Sequence, residues 1–196
     1  MLYWTGIGSR NAPDLIQRYM TAIARVFTET DEWVFRSGAA EGCDHAFELG
    51  VEKPHLREIY LPWPGFENHF DKPELGYLVP HKQFSNYSNA ETIAEKIHPV
   101  WERLTQGAKK LHARNVYQVL GQDLETPSEL LICWALPVGE KKVKGGTGTA
   151  VALAHENTVP VFNLYFEEDA KKLLEYAELL GVKLPPIPEG LYDDVA

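Results

Sequence analysis

Cysteine, basic residues and long apolar runs are all scarce in this sequence, and each shortage excludes a class of protein. Two cysteines, Cys43 and Cys133, in 196 residues are too few for a disulfide framework, and their separation matches no zinc-site spacing. Both read as thiols, and neither a metal nor a cofactor is implied. Nowhere do eighteen apolar residues run together, and the chain opens on a strand-like Leu2-Tyr3-Trp4 in place of a basic, apolar leader. These features predict a soluble, cytoplasmic protein with no membrane partner. Lysine and arginine number 19 against 28 acidic residues, a formal charge of −9, which disfavours coating a nucleic-acid backbone because that needs a basic stripe to release counterions. Lys109-Lys110 and Lys141-Lys142-Val143-Lys144 are the local exceptions. They are either solvated faces or the rim of a cleft for one small anion.

What is abundant is glycine at the ends of apolar segments. Lys144-Gly145-Gly146-Thr147-Gly148-Thr149 follows a strand-like run and precedes a helix-like one, the arrangement of a phosphate cradle: glycine admits an anion close to the backbone, and the helix start offers unpaired N–H groups. Leu2 to Arg10 reads as a strand running into a turn at Gly6, Gly8, Ser9 and Arg10, with the cation Arg10 beside the glycines suited to phosphate. Pro13 then opens a helix whose Ile16, Met20, Ile23 and Phe27 share one side. Trp33 to Arg36 repeats the pattern, and Ser37-Gly38-Ala39-Ala40-Glu41-Gly42-Cys43-Asp44 forms a second small-residue turn. There Asp44 either caps the following helix or bonds a ribose hydroxyl.

Arg57 to Leu61 makes a third strand, ended by a Pro62–Phe66 loop that presents Trp63 and Phe66, to stack a base or to cover a core edge. Residues 67–88 show no period and are expected to be an irregular loop or lid. Ser88 or Asn89 is expected to cap a helix through Ala94, Ile97 and Trp101. Gly107 interrupts it, and a second helix follows, ended by Gly121. On that second helix Leu111, Arg114, Asn115 and Gln118 share an arc that we read as facing the site, Arg114 and Asn115 supplying donors for phosphate or ribose. Glu129 to Ala135 is the most apolar strand, as expected for the centre of a parallel sheet. The helix Ala150 to Asn157, the strand Val159 to Leu164, the helix Glu167 to Leu180 and an extended tail over 184–196 complete the chain. Alternating strands and helices predict a single α/β domain over residues 1–196, a Rossmann-like, doubly wound, mainly parallel sheet with helices on both faces. Its glycine turns at Gly6, Gly38 and Gly145 should meet at the carboxyl edge of the strands.

The pair Thr5-Gly6-Ile7-Gly8-Ser9-Arg10 and Ser37 to Asp44 resembles the motifs of the DNA-processing protein A (DprA) family. Leu111-His112-Ala113-Arg114-Asn115 and Gly145 to Thr149 resemble the arginine and glycine motifs of the LOG phosphoribohydrolases. Both families belong to the SLOG superfamily of Rossmann-like nucleotide binders, and the resemblance covers residues 2 to 165, similar to small DprA-like proteins carried by phages. It implies a nucleotide or ribose-phosphate ligand, a homodimer and, for a phage protein, the host cytoplasm. The LOG glutamates that cleave the N-glycosidic bond are here Val151 and Ala152, which cannot transfer a proton. Glu41 or Glu156 could stand in, and Glu41 with Arg114 forms the candidate catalytic set. The alternatives are a nucleotide sensor without chemistry, or a DprA-like mediator on single-stranded DNA.

Overall fold

The computed structural model describes residues 1–139 and 142–193. Apolar, β-branched and aromatic segments pair into one parallel sheet: β1 Leu2–Gly8, β2 Trp33–Ser37, β3 Arg57–Tyr60, β4 Tyr77–Leu78, β5 Leu130–Trp134 and β6 Val161–Asn163, in the order β4-β3-β2-β1-β5-β6. Between them run α1 Asp14–Phe27, α2 Cys43–Glu48, α3 Pro80–Gln83, α4 Tyr87–Ile97, α5 Gln106–Leu120 and α6 Thr147–Glu156, and α7 Glu167–Leu179 follows β6. This is an α/β, Rossmann-like fold in one domain. β1 to β4 build outward in one direction, and the chain then returns past β1 to add β5 on the other side. The order therefore reverses between β1 and β5, where such sheets open a crevice at their carboxyl ends.

Two cores cover the sheet. Under α1, α2 and α7 lie Trp4, Phe27, Phe35, Phe47 and Leu173, and under α4, α5 and α6 lie Ile7, Tyr60, Tyr117, Leu131 and Leu153. Trp4 sits at the centre of the first, stacked on Phe27 at 4.9 Å and tilted against Phe35 at 4.7 Å. Each such ring, once buried, contributes about 1.5–3 kcal/mol. α1 presents Ile16, Met20, Ile23 and Phe27 to this core, the face its spacing predicts. α5 starts at Thr105, whose hydroxyl accepts from the Ala108 N–H, and stops at Gly121 with φ +77°.

Three local expectations are corrected. Residues 67–88 are not merely irregular: they contain a 3-10 turn at Pro73–Leu75, the edge strand β4 and the short α3. Tyr77 in β4 is anchored by a hydrogen bond from its hydroxyl to Glu48. Asn86, not Ser88 or Asn89, stands at the start of α4. Gly107 lies inside the first turn of α5 instead of breaking a helix, the break falling at the 3-10 turn Trp101–Arg103. Of the tail, residues 194–196 lie outside the described residues. None of the described helices is long and apolar enough to cross a membrane.

Candidate functional site

The first turn leaves β1 at the reversal point. Gly8 pairs with Trp134 of β5, and the Ser9 N–H donates to the Trp134 carbonyl at 2.9 Å. Side chains at Gly6 and Gly8 would collide with the structure: a Cβ would lie 2.7 Å from the Phe47 ring at Gly6 and 2.6 Å from Cys43 Sγ at Gly8. These two glycines let β1 pack against α2. Ser37 is buried, and its hydroxyl donates to the Gly6 carbonyl at 2.6 Å. Gly6, Ser37 and Gly38 therefore stand behind the cavity rather than in its lining.

The second turn wraps around a carboxylate of the protein itself. Ala39 takes a left-handed conformation, φ +58°. Asp44, 1 % exposed, accepts from the Gly8 N–H at 3.1 Å and from the Ala40 N–H at 3.4 Å, and the Gly38 N–H adds to its stabilisation. A turn that aims successive N–H groups inward is an anion nest, and here Asp44 fills it. Asp44 thus does not cap α2, where Gly42 holds the N-cap position, and both its oxygens are engaged by main chain. Burial raises its carboxyl above the usual range, against the pull of Arg114 and the three N–H groups.

Arg114 reaches over from α5. Its guanidinium fills the space above Gly38, where a Cβ would fall on Nη1. Nη1 lies 3.6 Å from Asp44 Oδ2, and the guanidinium carbon is 5.7 Å from the Phe66 ring centre. Burial lowers its pKa, with Asp44 opposing; an arginine in such a pair keeps its proton. Arg114 Nε and Nη1 have no hydrogen-bond partner among the described residues. Trp63 and Phe66 pack edge to face at 5.4 Å and do not line the cavity; both cover the core edge, and Phe66 supports the guanidinium.

The third turn is carried by a hairpin in which the Val138 N–H donates to the Lys142 carbonyl and the Lys144 N–H to the Leu136 carbonyl. Lys141, part of the predicted basic run, lies outside the described residues. Gly145 has φ +81°, and neither Gly145 nor Gly146 would bring a Cβ within 4 Å of other atoms. α6 begins at Thr147 with no side-chain cap. The N–H groups of Gly145, Gly146 and Thr147 find no acceptor among the described residues. α5 holds this turn at two points: Asn115 Nδ2 donates to the Gly146 carbonyl at 2.9 Å, and His112 Nδ1 lies 2.8 Å from Thr149 Oγ1. Thr149 is thereby engaged, and Gly148 is a packing glycine whose Cβ would meet the Val143 carbonyl at 2.8 Å.

A cavity of about 510 Å³ opens between these parts. The first turn lines it with Gly8, Ser9, Arg10 and Asn11, the second with Ala40 and Asp44, α5 with Leu111, Arg114 and Asn115, and the third with Lys144, Gly145, Gly146 and Thr147. Ile7 and Leu136 add apolar surface. Among the described residues three cations face it, Arg10, Arg114 and Lys144, and its lining includes a single carboxylate, that of Asp44. Glu41 is exposed on the second turn and does not line the cavity. Glu156 is at the far end of α6 from the glycines. Arg10 is paired at 3.5 Å with Glu67, which with Asn68 takes a left-handed backbone conformation. Leu111 and Lys144, which the arginine motif and the glycine stretch include, line the cavity, and Asn11 and Leu136 are lining residues that the motifs leave out. Neither Asn11 nor Leu136 carries a signal in sequence.

No protein-family model matches the chain, and no curated protein matches it. Among solved structures it is similar to DNA processing protein A from Helicobacter pylori, whose structure was described for its single-stranded DNA binding mode. The identity is 16 % and the TM-score 0.49, over 99 % of this chain and 78 % of that one.

Proposed function

We propose that the cavity binds a nucleotide or ribose phosphate by its phosphate and holds it without cleaving it. The observation that carries this reading is the third turn: three N–H groups without an acceptor among the described residues, at the start of a ten-residue helix, in a cavity that Lys144 and Arg114 also line. Phosphate oxygens are the acceptors such donors need. Ile7, Leu111 and Leu136 give the flat face of a base or sugar somewhere to lie. Binding is favoured over hydrolysis because the one carboxylate in the lining, Asp44, is already held by main chain and Arg114. A general acid or base needs a proton it can exchange with the ligand.

The test is calorimetric titration with nucleoside mono-, di- and triphosphates, ADP-ribose, NAD and oligothymidylate, followed by chromatography of the recovered ligand. Lys144→Ala is the informative variant, since Lys144 is exposed and its loss leaves the fold alone, whereas Arg114→Ala strands a buried carboxylate. The expected outcome is a nucleotide that binds, returns intact, and loses about tenfold in affinity with Lys144→Ala. Release of free base would restore the hydrolase reading. Binding of oligothymidylate with no response to mononucleotides would transfer the assignment to single-stranded DNA.

A further inference from the structure

Of the buried side-chain atoms of the lining that have no partner among the described residues, one has the wrong sign for phosphate. Asn115 is 3 % exposed, and its Nδ2 is committed to the Gly146 carbonyl. Flipping the amide would set Oδ1 against that carbonyl, two acceptors face to face, so the orientation is fixed. Oδ1 is then a buried acceptor with no donor among the described residues. The other unpartnered groups of the lining are donors: the N–H groups of the third turn and two nitrogens of Arg114. An ionised phosphate answers all of those and offers Oδ1 nothing, since its oxygens only accept. A buried acceptor left unpaired is costly, so the ligand should bring a donor as well as a phosphate. That donor must lie close to the phosphate, because Asn115 is tied to Gly146, whose own N–H is one of the free donors. In a nucleotide the neighbour of the phosphate is the sugar.

Resting on the phosphate-binding reading above, we infer that Asn115 Oδ1 accepts a hydrogen bond from a sugar hydroxyl, and that the site selects ribonucleotides over analogues lacking that hydroxyl. Selectivity arises because a deoxy ligand desolvates the same acceptor and leaves it empty.

The experiment titrates the four ribonucleoside 5′-monophosphates, with their 2′-deoxy and 3′-deoxy analogues, into the native protein and into Asn115→Ala and Asn115→Leu, each variant first checked for an unchanged unfolding midpoint. The native protein is expected to bind at least one ribonucleotide about tenfold or more tightly than one of its deoxy analogues, and the ratio is expected to fall to about one in the variants. A residue that only props the turn would weaken both ligands by the same factor and leave the ratio unchanged, which overturns the inference. Equal native affinity for ribo and both deoxy forms overturns it too, while leaving phosphate binding intact. Failure of all the monophosphates to bind overturns the phosphate reading itself.

Discussion

A methyl group added at Gly6, Gly8 or Gly38 would fall on protein atoms, whereas one added at Gly145 or Gly146 would meet nothing within 4 Å. The first set of glycines brings parts of the protein together: β1 onto α2, and Arg114 onto the second turn. The second set keeps a backbone bare. The N–H groups divide the same way. In the first two turns those of Gly8 and Ala40 go to Asp44 and that of Ser9 to Trp134, whereas those of Gly145, Gly146 and Thr147 have no acceptor among the described residues. One half of the site is wired internally and the other is left open to an anion, so the two halves should answer differently to the same substitution.

The largest expected effect is that of Gly38→Ala. Its methyl displaces the Arg114 guanidinium and strands Asp44, and breaking a buried ion pair costs about 3–5 kcal/mol. Urea denaturation would show it, and a loss below 1 kcal/mol would break the comparison. Gly145→Ala should cost about 1–2 kcal/mol, because only its left-handed backbone is strained, and ligand affinity should fall with it. The pH response of His112 comes next. Burial, with His98 and Arg114 nearby, pushes its pKa down to about 4 from 6.5. The folded protein therefore holds it neutral where the unfolded chain takes up a proton, and stability should fall as pH drops from 6.5 towards 4 and level off below. About 1 kcal/mol is expected for this partly exposed ring, and His112→Leu should flatten that stretch of the curve in calorimetric scans. The smallest effect is that of Gly146→Ala, whose φ of −61° suits alanine: stability should hold within about 0.5 kcal/mol or rise slightly. A loss as large as that of Gly38→Ala would show that the third turn is packed like the first two.

Much of the architecture is legible in sequence. β1 and α1 announce themselves by an aromatic, β-branched run and a helical stripe ending in Phe27, and β5 by five apolar residues with both faces covered. β4 is not legible, since two residues carry no alternation and its anchor is a hydrogen bond to Glu48 on α2. In the site, the meeting of three turns follows from the order of strands and turns, but Gly6 and Gly38, by which the sequence marks the first two, lie outside the lining, which takes Gly8 and Ala40 instead. The separate fates of the glycines do not follow from that order. Gly38 and Gly146 sit in similar small-residue stretches, and what distinguishes them is a guanidinium from a helix remote in the chain. Asp44 has the same difficulty: whether an aspartate after a glycine turn caps a helix, meets a ligand or fills the nest depends on the left-handed backbone at Ala39. Glu41 stood out in sequence as a carboxylate among small residues, and its exposure gives it a solvated place outside the lining.

Adjacent residues of α5 grip opposite walls of the cavity. Arg114 holds the first two turns through Asp44, Asn115 and His112 hold the third, and a single helix thus serves as a spacer between the two walls. The gap between the walls is set by the geometry of one helical turn, which is among the stiffest lengths a polypeptide can offer. The width of the mouth is for that reason inseparable from the integrity of α5: the two walls cannot loosen independently, and an event that frays this helix dismantles both together.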